Sequence, residues 1–135
     1  FRTTLELEEA KNTYQGLYDF APVGYVTLNT KGIIMLANLR LVEMLGVERR
    51  YLQCKPLTDH IVAEDEDVFY HHRQSLLNGK GPQIFDLRMK KANGGIFHAQ
   101  MELVLTNGGD SEAVSQQVII SDISERKQVE MRLKL

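Results

Sequence analysis

Apolar positions along the chain change their period several times, and each change marks an element. Leu7, Ala10, Tyr14 and Leu17 recur at alternating steps of three and four inside the stretch from Thr3 to Asp19, the spacing of a helical seam. Thr3 and Glu6 have capping-box spacing at its start, and Ala21-Pro22 ends it because proline cannot continue the hydrogen-bond ladder. Gly24 to Asn29 and Ile33 to Ala37 follow as two strand-like runs joined by Thr30-Lys31-Gly32, which predicts a hairpin. Asn38 is placed to cap a helix carrying Leu39, Leu41, Val42, Met44 and Leu45, and Gly46 closes it. Val47 to Ala63, broken by Pro56, predicts short helical turns. Glu64 to Leu77 predicts a second full helix, with acidic residues loading its first turn and Gly79 beyond its end.

A period of two then takes over. In Gln83 to Lys90, Phe85, Leu87 and Met89 alternate with Asp86, Arg88 and Lys90. In Ile96 to Thr106, Phe97, Ala99, Met101, Leu103 and Leu105 share one face, and His98, Gln100 and Glu102 take the other. Asn93-Gly94-Gly95 and Asn107-Gly108-Gly109-Asp110 are turn signals, and Val114 to Ile123 is the last strand. Strands segregated from helices predict an α+β fold: about five antiparallel strands, with helices packed on one face. The apolar face of the last strands, opposite Phe69 and Leu76, is the predicted interior.

Composition narrows the setting. The chain has 135 residues, enough for one core, and its 43% apolar and 25% charged residues are those of an ordinary globular domain. No apolar run approaches the ~20 residues needed to span a bilayer. A net charge of −2 gives no overall pull toward nucleic acid. Cys54 is the only cysteine, which excludes an internal disulfide and a cysteine-based zinc site and makes a reducing cytoplasm the simplest setting. The chain is expected to be a module of a longer protein, with residues 1–20 a flanking helix, 21–123 the core and 124–135 the start of an outgoing helix.

The order of these elements resembles a PAS domain. Ala21-Pro22-Val23-Gly24 stands before the first strand, Asn38 after the second, and Asn93-Gly94-Gly95 in the later hairpin. Asp122-Ile123-Ser124-Glu125-Arg126-Lys127 is similar to the closing Asp-Ile-Thr-Glu-Arg-Lys signature of that family, where the sheet hands over to an output helix. The resemblance covers about residues 14 to 128. It implies a sensory module that binds a small molecule or dimerises to control a C-terminal output domain. A two-component histidine kinase is the first expectation for that output, with a diguanylate cyclase or phosphodiesterase as the alternative. A ligand-free dimerisation scaffold is the rival class.

The residues themselves point to few chemical roles. Asp122 can cap the helix that follows the last strand, Glu125 can reach back as in a capping box, and Arg126 and Lys127 can pair with either. Arg73 sits at the centre of an otherwise apolar helix face, flanked by Phe69, Leu76 and Leu77, with His72 at its edge. Such a cation must snorkel to water or meet an acceptor, and a planar guanidinium suits a carboxylate or phosphate. Arg73, His72, Phe69, Leu76, Phe85, Leu87, Met89, Phe97 and Met101 are therefore the ligand-pocket candidates, and Met35 and Met44 fit the same adaptable lining. His71 and His72 point roughly 100° apart on a helix and cannot chelate one metal. Some PAS domains hold haem through a histidine on this helix and others bond flavin through a cysteine, but Cys54 stands about three residues too early for the latter. Neither haem nor flavin is expected, and no metal. No catalytic constellation is present, so no enzymatic activity is expected of this segment. Self-association is expected through Leu7, Ala10, Tyr14 and Leu17, together with Val129 and Leu133 after the closing signature.

Overall fold

The computed structural model of the protein describes residues 21–107, 114–127 and 129. The helix expected over Thr3 to Asp19, with its Leu7, Ala10, Tyr14 and Leu17 seam, lies outside them, as does Leu133. Strands β1 (Gly24–Leu28) and β2 (Ile34–Ala37) form a hairpin, followed by helices α1 (Leu39–Leu45) and α2 (Arg49–Leu52). Two 3₁₀ turns, Leu57–His60 and Ala63–Asp65, lead into α3 (Glu66–Leu77). Strands β3 (Gln83–Lys90), β4 (Ile96–Asn107) and β5 (Val114–Asp122) complete one five-stranded antiparallel sheet in the order β2-β1-β5-β4-β3. The α+β architecture is as the patterning predicts, and β5 closes it by inserting beside β1.

The register follows from the alternation. Phe85, Leu87 and Met89 pair across to Met101, Ala99 and Phe97, and all six are buried. A slip of one residue would turn them to water and put Asp86, Arg88 and Lys90 inside, at about 1.5–3 kcal/mol for each large apolar side chain exposed. The core beneath this face also takes Val26 and Leu28 from β1, Val118 and Ile120 from β5, and Leu41, Leu45, Leu52, Leu57, Ile61, Phe69 and Leu76 from the helical side. Gly24 permits the closest approach: a Cβ there would lie 3.0 Å from Leu41 Cδ1.

Local chemistry sets the element ends and shifts several expected boundaries. Strand β1 stops at Leu28 because Asn29 turns its side chain to the hairpin loop, where Oδ1 accepts from the Lys31 and Ile33 amides. Thr27 faces Leu36 and Leu28 faces Ile34, so Met35 is the extra residue of a bulge. It is exposed, and not part of the lining. Helix α3 begins at Glu66, not Glu64, because the preceding residues form a 3₁₀ turn and Asp65 is drawn to β3. There its carboxylate takes the Arg88 main-chain N–H at 2.8 Å and, from one edge of the Arg88 guanidinium, Nε and Nη2 at 3.0 Å each. Leu77 lies outside the inner face and is exposed. Leu105 is half-exposed because β3 ends opposite Leu103, leaving the end of β4 paired to β5 alone. Among the described residues no helix is long and apolar enough to cross a membrane.

Candidate functional site

The sheet's inner face and α3 bring together most of the residues singled out in the sequence. Phe69, Leu76, Phe85, Leu87, Met89, Phe97, Ala99, Met101 and Leu103 belong to one buried cluster, along with Met44. His72 lies at its rim, stacked nearly parallel on Phe85 with ring centroids 4.2 Å apart. Its Nδ1 is 3.0 Å from Gln83 Oε1. Gln83 Nε2 donates to the Gly81 carbonyl, so Oε1 must be the atom facing the ring, and His72 carries its proton on Nδ1.

Arg73 is half-buried over the far end of the same face. Its Nε donates to Gln116 Oε1 at 3.0 Å, and its Nη2 to the Thr30 carbonyl in the β1–β2 turn. Removal from water disfavours the charged guanidinium and lowers its pKa, while a guanidinium stays a cation throughout the ordinary pH range. Gln116 is fully buried on β5, and the sequence reading did not single it out. The signal was available: Gln116, Val118 and Ile120 alternate inward, and a glutamine at an inward apolar position calls for a partner.

The second candidate region is the joint where the sheet ends. Ile123 donates its N–H to the His98 carbonyl at 2.9 Å, and the His98 N–H donates to Ser124 Oγ at 3.0 Å. Asp122 Oδ1 accepts from the Ser124 N–H at 2.9 Å, and Lys127 N–H returns to the Ile123 carbonyl, closing the first turn of an exit helix over residues 124–127. Glu125 is exposed, while Arg126 and Lys127 place their charges 3.8 and 3.6 Å from Asp86 on β3. That sheet carboxylate is a partner the sequence reading did not identify, because it lies some forty residues away. The exit helix is thus tied to β4 through both main-chain groups of His98, one meeting the Ile123 N–H and the other the Ser124 hydroxyl, and to β3 by charge.

The remaining candidates stay apart from both regions. His71 is exposed, and Cys54 is exposed on the loop before Pro56 with φ 64°, in the left-handed region. That conformation is held by the Cys54 N–H on the Ile34 carbonyl and the Ile34 N–H on the Lys55 carbonyl. Neither side chain lies in the apolar core, so neither offers a ligand to a haem iron or a thiol to a flavin there. Among the described residues no three His, Cys, Asp or Glu side chains are grouped to hold a metal.

A family model described as the PAS fold matches residues 12–123. No curated protein matches the chain. Among solved structures, the chain is similar to a PAS domain from Colwellia psychrerythraea, with 18% identity and a TM-score of 0.77 over 86% of this chain and 98% of that one. The PAS domain of an HTR-like protein from Haloarcula marismortui is 19% identical, with a TM-score of 0.77 over 90% and 98% of the two chains. A sensory box histidine kinase/response regulator from Burkholderia thailandensis is 19% identical, with a TM-score of 0.69 over 90% and 92%.

Proposed function

The chain belongs to the PAS family of sensory domains, and from that premise we propose that it is the sensory module of a multidomain two-component histidine kinase. A small ligand in the core, or self-association, shifts the sheet, and the exit joint passes the shift to a C-terminal output domain. The observation that carries this reading is the double attachment of residues 123–127 to β4 and β3. A helix held by two strands of the ligand-facing sheet moves when those strands move. The choice of kinase rests on the histidine-kinase neighbour, and a diguanylate cyclase or phosphodiesterase output uses the same joint.

The apolar interior supports small-molecule sensing over a bare scaffold, because Arg73 and Gln116 place polar groups where a scaffold needs only packing. Native mass spectrometry of the purified protein tests this. A retained small molecule is the expected result, and an empty dimer would instead favour the scaffold.

A further inference from the structure

We infer that Gln116 and Arg73 form a binding site for the carboxylate of a small monoanionic organic acid whose body is apolar. This rests on the sensory reading above and names the ligand chemistry of that module. Gln116 Nε2 is buried and has no hydrogen-bond partner among the described residues. Its identity as the amide nitrogen is secured by Arg73, because a guanidinium cannot accept a hydrogen bond and must face the amide oxygen. The NH₂ therefore stays turned away from Arg73, and a buried amide donor left without an acceptor costs about 1–3 kcal/mol. Native proteins rarely leave such a group empty-handed.

Arg73 supplies the complementary half. Its partners among the described residues are neutral oxygens, the Gln116 amide and the Thr30 carbonyl, and none is a carboxylate. A cation drawn partly out of water without a counter-charge, beside an unpaired amide donor, lacks an anionic oxygen acceptor. The turn is shaped to this arrangement: at Gly32, with φ +81°, a Cβ would lie 3.3 Å from Arg73 Cζ. One positive charge is neutralised by a monoanion, whereas a phosphate dianion would leave a negative charge beside apolar walls. Gln116 is paired in register with Leu28 and Leu105, so an aliphatic body suits the surroundings. Leu105, paired beside Gln116, is exposed, which places this end of the sheet next to solvent.

The test is titration of the whole chain with butyrate, followed by the side-chain amide resonances of Gln116 and the Nε–H of Arg73. Saturable shifts of both are expected with butyrate, and not with butyramide or inorganic phosphate at the same concentration. Gln116→Leu and Arg73→Met should each weaken butyrate binding by about tenfold or more, the usual loss for a charge-assisted hydrogen bond. Arg73→Lys, which keeps the charge and guards against misfolding, should retain part of it. Butyrate that leaves the Gln116 resonances unmoved, shifts that butyramide reproduces, or unchanged affinity in a folded Gln116→Leu would each overturn the assignment. Binding is read here without reference to any output, so such a failure leaves the sensory reading and its joint to be judged separately.

Discussion

Asn38 shows how much one side chain can organise. Its Oδ1 accepts from the Leu41 N–H at 3.1 Å, capping α1, and from the Tyr25 N–H at 2.9 Å, while Nδ2 donates to the Val23 carbonyl at 3.0 Å. One buried amide thus joins the start of β1 to the start of α1. Asn38→Ala leaves those backbone groups unpaired and should cost about 2–4 kcal/mol, more than a surface cap alone. Urea unfolding with an unchanged m-value checks this, and a loss below 1 kcal/mol would mean that water replaces the amide. Two other residues link stability to pH. Burial lowers the pKa of His60 from 6.5, against a smaller opposing pull from Asp59, so the folded state binds this proton less readily than the unfolded chain. Stability should therefore fall as the pH drops below 6.5. The hydrogen bonds from Arg88 hold Asp65 below 3.8, so its contribution is complete above that value and is lost as the pH falls further. Melting temperatures across pH 3–7 should show both losses. His60→Gln should flatten the first and Asp65→Asn the second; parallel profiles in wild type and variants would contradict both assignments.

The element scale separates what was readable along the chain from what was not. Strands β3 and β4 were legible because each buries every second residue, and α1 because Asn38 and Gly46 supply a cap at either end. Gly46 sits at φ 70° and returns its N–H to the Val42 carbonyl, as an αL cap should. The β2 bulge at Met35 was not legible, since nothing in Ile34–Ala37 announces an extra residue. Nor was the charge contact from Asp86 to Arg126 and Lys127, which depends on β3 and the exit helix meeting in space. Exposed pairs of this kind contribute about 0–1 kcal/mol each, so they bias the exit helix without holding the domain together. Combining Asp86→Ala with Asp122→Ala should raise amide exchange at Lys127 severalfold while leaving Leu103 and Val118, in the central strands, unchanged. Faster exchange at those two sites as well would make the joint part of the core's stability, and not a separable attachment.

Over the whole molecule, the strand order gives the joint its leverage. Strand β5 lies between β1 and β4, its buried face meets the polar pair at one end, and its last residue opens the exit helix at the other. A change at Gln116 and a change at Asp122 therefore act on the same strand, six positions apart. The sequence order disclosed this sheet-to-helix handover, while the polar pair needed the fold to bring Arg73 across to β5. Loss of the Asp122 side chain should cost the helix start about 1 kcal/mol, small beside the stability of a domain but close to a typical coupling free energy between sites. The most direct measurement is the regulated activity of the protein that carries this chain, with and without its stimulus, for wild type and Asp122→Ala. The predicted result is a folded core whose output no longer distinguishes the two conditions. A full response in Asp122→Ala, with the amides of residues 124–127 exchanging freely, would contradict transmission through this joint.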